Sequence, residues 1–124
     1  MLITACLLIV LIGLIHSYLG EKYLLIRLFR RDNLPKLMGG DWFTKRLLRF
    51  AWHLTTLVWW AMAAIIYVLA NPSQNVERDI VNIIGVTFLL SGILSGVASH
   101  GKHLSWLVFL AIAGCCFFTD NFAI

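Results

Sequence analysis

Four stretches of the chain run without a single Asp, Glu, Lys or Arg: Met1 to Gly20, Phe50 to Ala70, Ile80 to Ser99 and Leu104 to Thr119. An α-helix rises 1.5 Å per residue and the hydrocarbon of a bilayer is about 30 Å thick, so about 20 such residues reach across it. The first three runs meet that length, and the fourth is a little short for a perpendicular span. The pattern predicts an all-α fold, a four-helix transmembrane bundle forming one membrane domain over residues 1–124. Gly13, His16 and Ser17 interrupt the first run, and neither a basic leader nor a small-residue cleavage site accompanies it. It is therefore expected to be a retained helix rather than a secretory signal.

Between the first two runs, residues 21–49 hold Lys22, Arg27, Arg30, Arg31, Lys36, Lys45, Arg46 and Arg49, eight of the ten basic residues. The segment EKYLLIRLFRR mixes apolar and basic positions, so the first helix is expected to run past the hydrocarbon with Lys22, Arg27 and Arg30 reaching into the headgroups. Asp32, Asn33 and Pro35 are the predicted stop, since proline removes a donor and biases its predecessor away from helix. After Gly39 and Gly40, Asp41 is the expected N-cap of an amphipathic run, Trp42 to Arg49, that leads into the second span. Asn71, Pro72 and Ser73 end that span on the opposite side.

Charge then sets the orientation. By the positive-inside tendency the basic connection and the short turn with Lys102 are cytoplasmic, and both termini face the periplasm of a bacterial inner membrane. The formal charge of +4 is thus a topology signal that attracts anionic headgroups. No interleaving of aromatic and basic residues suggests a nucleic-acid surface. The expected partners are the lipid bilayer and, beyond it, a second copy of the chain or a larger membrane complex. Composition agrees, because 60% apolar and 13% charged residues are far from the mix of a soluble domain of this size.

The candidate chemistry is carried by histidine. His16 lies five residues before Glu21 and His53 four residues after Arg49, about 6 to 8 Å inside their charged boundaries at 1.5 Å per residue. His100 and His103 fall in the turn before the fourth run, and their spacing of three places them on one side of a helix if that helix starts there. Polar groups in a membrane usually face the bundle interior, so a cytoplasmic-side cluster of His16, His53, His100 and His103 is expected, with Glu21 and arginine orienting the rings. Three chemistries suit such a cluster: haem ligation by His16 and His53, direct binding of a transition metal with Glu21 as a further ligand, and a proton or quinone site. Against these stands the ordinary reading that each ring makes a neutral hydrogen bond and locks two helices together. No pair of histidines shows the four-residue metal spacing on one helix.

Other features weigh toward packing. Ser91, Ser95 and Ser99 recur every fourth residue beside Gly92 and Gly96, a smooth face for close approach within the bundle or between copies. Cys6, Cys115 and Cys116 lie in apolar runs near the periplasmic side, where a disulfide is conceivable and packing is favoured. Trp52, Trp59, Trp60 and Trp106 are expected as belt or core residues. No nucleophile elbow, phosphate loop, HExxH or dinucleotide fingerprint is present, so turnover chemistry has no support beyond the histidines.

The segments HSYLGEKYLL at 16–25, RFAWHLTTLVWW at 49–60 and SHGKHLSW at 99–106 resemble the recurrent segments of a group of small four-span bacterial inner-membrane proteins of uncharacterised activity. The resemblance spans nearly the whole chain. It implies the four-span topology and the membrane location and transfers no catalytic residue. The sequence thus predicts a small integral membrane protein with an accessory or structural role. A haem- or metal-binding protein of membrane redox or metal handling is the alternative, and an oligomeric small transporter the second alternative.

Overall fold

The computed structural model describes residues 1–119, among which there are four helices: α1 Leu2–Leu28, α2 Trp42–Ala70, α3 Val76–Ser99 and α4 Ser105–Phe117. α1, α2 and α3 are long and apolar enough to cross a membrane. The all-α bundle expected from the pattern is present, and the chain is a transmembrane helical protein. The fourth helix is shorter than the run that predicted it. Its 13 residues rise about 20 Å; of the run Leu104 to Thr119, Leu104 precedes the helix and Phe118 and Thr119 follow its end.

α1 continues past its apolar run, as the mixed segment at 21–31 implies, but not as a uniform helix. Leu2–Leu19 is α-helical, Gly20–Leu25 forms a π-helical turn, and Ile26–Leu28 returns to α geometry. The helix ends at Leu28, before the expected stop at Asp32 to Pro35. Trp42 to Arg49 leads into the second span without a break, and α2 is one helix of 29 residues. Asp41 occupies the N-cap position without a side-chain cap bond and instead pairs with Lys45 at 2.7 Å.

The helices pack in chain order, α1 on α2, α2 on α3 and α3 on α4, and among the described residues α1 does not approach α3 or α4. The bundle is therefore open. Among the described residues the buried apolar ones are few, Cys6, Leu25, Phe43, Ala63 and Ala113, whereas Leu7, Leu8, Leu11, Leu14, Leu107 and Val108 point outward. Such an arrangement would be insoluble in water, but in a bilayer the lipid tails cover these side chains as well as another helix would.

Where helices do meet, small residues make the room. Ser91, Ser95 and Ser99 are all at most 3% exposed. A Cβ at Gly85 would press on Phe117 and Cys116, and one at Gly92 on Leu110 and Phe109. Ser95 and Ser105 share a hydrogen bond at 2.5 Å across the same contact. Of the two uses open to this face, α4 of the same chain occupies it.

Tight capping closes the α3–α4 turn. His100 has a left-handed backbone, φ 51°, followed by Gly101 at φ 76°. The N–H of Gly101 donates to Gly96 at 2.9 Å and that of His100 to Val97 at 3.4 Å, the Schellman pattern that satisfies the last carbonyls of a helix. Arg46 of α2 adds to this cap from outside: Nε donates to Ala98 O at 2.5 Å and Nη2 to Val97 O at 2.9 Å. A guanidinium at a helix C-terminus also complements the helix dipole. Because His100 is the turn residue and α4 starts at Ser105, His100 and His103 do not share a helical face, contrary to the spacing argument.

Candidate functional site

α1 and α2 are joined by a ladder of side-chain donors on backbone carbonyls. Trp52 Nε1 donates to His16 O at 3.2 Å, Thr56 Oγ1 to Gly13 O at 3.3 Å and Trp60 Nε1 to Val10 O at 3.3 Å. The donors step by four along α2 and the acceptors by three along α1. Matching such rows is the combination that gives a shallow crossing of about 20°. Two glycines let the helices come this close. A Cβ at Gly13 would touch Trp60 and Thr56, and one at Gly20 would overlap the Trp52 indole.

At the basic end of this seam lies a continuous polar chain. Arg49, His53 and Thr56 share one face of α2, because steps of four and three residues return to the same side of a helix. Opposite them are Ser17 of α1 and Glu21, which the π-helical turn carries. A π turn shifts the phase of the residues within it, and such turns occur often at functional positions. Glu21 Oε1 pairs with Arg49 Nη2 at 2.7 Å, while Oε2 receives Arg49 Nε at 3.2 Å and lies 3.0 Å from His53 Nε2. His53 Nδ1 lies 2.9 Å from Ser17 Oγ, which in turn is 2.8 Å from Thr56 Oγ1.

The chain runs from a half-exposed ion pair into the dry interior. Arg49 and Glu21 side chains are 46% and 31% exposed, so the pair is open to its surroundings. Thr56 is 4% exposed, so its hydroxyl must be satisfied by protein. Directions in the chain are reversible. With both ring nitrogens protonated, His53 donates to Glu21 and Ser17, and Ser17 donates to Thr56. With Nδ1 bare, Ser17 donates to the ring instead, and the Glu21 bond is kept. Either state leaves no ring nitrogen unsatisfied.

The group types also match a Ser–His–acid triad. Ser17, however, lies in the interior of α1, where the neighbouring N–H groups are committed to the helix and none is free to hold an oxyanion. The arrangement joins α1 to α2 through hydrogen bonds, and it lacks the parts of an acyl-transfer site.

The other predicted residues lie apart from this chain, although all four histidines are at the basic end. The His16 ring stacks on Trp52 with centroids 4.5 Å apart and planes within 4°, and meets Trp59 at 4.9 Å. Its Nε2 is enclosed and has no hydrogen-bond partner among the described residues. His100 meets the edge of Trp42 at 5.5 Å. His103 Nδ1 shares a hydrogen bond with Ser105 Oγ at 2.7 Å and lies beside Phe43. A haem between His16 and His53 would need one nitrogen of each aimed into a common gap. His53 has both nitrogens engaged and His16 is flanked by two indoles, so this donor set does not fit a haem. Among the described residues no group of three His, Cys, Asp or Glu side chains is placed to hold a metal ion.

Cys6, Cys115 and Cys116 are free thiols. Cys6 Sγ donates to Ala63 O at 3.3 Å, and the other two are on α4, which does not meet α1.

Sequence reasoning found His53, Glu21 and the arginine at their side, and missed Ser17 and Thr56. The spacing 49, 53, 56 on one run and 17, 21 on the other was the available signal. Hydroxyls inside apolar runs read as helix-neutral residues until their partners are known. Thr56→Val removes the shared hydroxyl at constant shape. It is expected to cost about 1 kcal/mol, within the range for hydrogen bonds between membrane helices. Denaturant unfolding in detergent, run as a double-mutant cycle with Ser17→Ala, checks this: the two costs should fall short of adding.

Compared with known proteins, the chain matches no family model, no curated protein and no solved structure.

Proposed function

We propose that the chain is a multi-pass accessory protein of a bacterial inner membrane, in which the Glu21–His53–Ser17–Thr56 chain clamps the first two membrane helices together. The observation that carries this reading is the closure of the chain on itself. Both nitrogens of His53, both carboxylate oxygens of Glu21 and the hydroxyls of Ser17 and Thr56 are spent on one another or on α1 and α2. A residue set assembled for turnover leaves groups aimed at a vacant position for the reacting atoms, and these groups are aimed at each other.

The crowding of basic residues at the end where α1 leaves and α2 enters supports a cytoplasmic placement of that end. The start of α1 and the end of α4 then face the periplasm. The resemblance of 16–25, 49–60 and 99–106 to small bacterial inner-membrane proteins supports the same location. The exposed apolar sides of α1 and α4 are suited to lipid.

His53→Phe keeps a ring and deletes both bonds. It is expected to lower unfolding stability in detergent by about 1 to 2 kcal/mol, and His53→Gln, which retains a donor and an acceptor, to restore part of it. The same purified protein, expressed with haem and transition metals supplied, should be colourless and free of stoichiometric metal. A Soret band or bound metal that disappears in His16→Ala and His53→Ala would overturn the clamp in favour of a cofactor site.

A further inference from the structure

Beside the clamp, on the face of α2 turned toward α3, a groove of about 280 Å³ is lined by Arg46, Arg49, Phe50, His53, Leu94, Val97 and Ala98. The α2 residues are one helical stripe, 46, 49, 50 and 53, and the α3 residues are its partner stripe, 94, 97 and 98. Chemistry changes along the groove. At the basic end two guanidinium groups face it beside Val97, and toward the membrane interior its walls are Phe50 and Leu94, with His53 the deepest of its α2 residues. We propose that this groove is a binding site for an anionic phospholipid, with the headgroup phosphate between Arg46 and Arg49 and an acyl chain along Phe50 and Leu94.

Charge and donor inventory argue for that occupant. Arg46 spends Nε and Nη2 on the carbonyls of Ala98 and Val97, and Arg49 spends Nε and Nη2 on Glu21. Among the described residues, Nη1 of each guanidinium has no protein acceptor. Two guanidiniums against one carboxylate also leave one positive charge in excess at the groove mouth, which a phosphodiester neutralises. The fixed planes of the two arginines suit phosphate oxygens better than a mobile ammonium would. An apolar floor continuous with the outer surface of α3, where Leu94 and Val97 are exposed, suits a tail that enters sideways from the bilayer. Basic pockets between membrane helices at the headgroup level are a known means of holding anionic lipids. A free phosphate would use the arginines and leave the apolar half of the groove unused.

The inference rests on membrane residence; His53 lines the groove as well as the clamp, so Thr56→Val, which touches the clamp and not the groove, separates the two and should leave the lipid preference unchanged. Native mass spectrometry of the detergent-purified protein, incubated with equal amounts of phosphatidylglycerol and phosphatidylcholine, reads it directly. Phosphatidylglycerol adducts should predominate. Arg46→Gln and Arg49→Gln should each reduce that preference roughly fivefold, the equivalent of one basic side chain at a charged surface. Lys36→Gln, which removes the same charge from the exposed connection, should leave it unchanged.

Ala98→Phe fills the groove and keeps both arginines. It should lose the adduct and decides the matter if loss of the α3 cap makes the Arg46 variant fail to fold. Millimolar inorganic phosphate should not displace the lipid. Equal loss with Lys36→Gln would show diffuse attraction in place of a site, displacement by phosphate would show a free-anion site, and full retention by Ala98→Phe would empty the groove of its role. Any of these overturns the proposal.

Discussion

Gly20→Leu is expected to detach α1 from α2 and to cost more than any other single substitution in the seam. At this position even a Cβ would overlap the Trp52 indole, and the indole cannot retreat freely. Its N–H is held by His16 O and its face is stacked on the His16 ring. A leucine must therefore push the helices apart, and the ladder at Gly13 and Val10 stretches with them. Overpacking of a close contact typically costs about 1–3 kcal/mol, and this case belongs at the upper end, about 3 kcal/mol. Unfolding in detergent followed by near-ultraviolet circular dichroism reads both the stability and the indole environment. In a Trp52→Ala background the same substitution should cost less than half as much, since the obstructing ring is gone. If the two substitutions simply add, Gly20 is not the gap into which Trp52 fits.

Glu21→Ala ranks second, at about 2 kcal/mol. The carboxylate receives two hydrogen bonds from Arg49 and lies within bonding distance of His53. Bonds to charged groups are each worth about 1.5–3 kcal/mol when well enclosed. The sum is discounted here because the Glu21 side chain is 31% exposed and partial solvent access weakens ion pairs. Glu21→Gln keeps the size and one acceptor oxygen but no charge, and should lose about half as much. With Arg49→Ala already in place, Glu21→Ala should cost less than it does in the parent chain, because part of its role is to balance that guanidinium. A Glu21→Ala protein within about 0.5 kcal/mol of the parent, the level of an ordinary surface change, would remove the carboxylate from the clamp.

Much of this fold was legible in the chain because bilayer insertion reads simple quantities. Ala70 and Ser99 end α2 and α3 at the last residues of their apolar runs, since Asn71–Pro72 and His100–Gly101 cannot continue a helix cheaply. The small residues of α3 announced a close contact for an equally plain reason: nothing else permits backbones to touch. The site was legible only in part. His53 and Glu21 stood out as ionisable groups next to apolar runs, and a depth estimate at 1.5 Å per residue brought them level. Ser17 and Thr56 carry no charge, and their spacing from Glu21 and His53 names a helix face without naming a partner, so it is their 2.8 Å separation that makes them members of the chain. His100 and His103 looked equivalent to the others by depth alone, yet the turn geometry sends them against Trp42 and Phe43.

By itself the sequence determined that the chain is helical, that it carries long apolar runs and that one end of them is basic; it predicted four spans, and the structure gives three helices long enough to cross a membrane. Those properties follow from summed transfer energies and loop charges, which depend on composition along the chain and hardly on what touches what. Only the tertiary structure decided which partners the polar side chains take. Glu21 meets Arg49 and His53 of α2, Gly13 and Gly20 admit the tryptophans, and Arg46 crosses to the carbonyls of Val97 and Ala98. Hydrogen bonds are directional and short in range, so a shift of one helix against the other by one residue changes every pair, and spacing within each run does not fix that register between them.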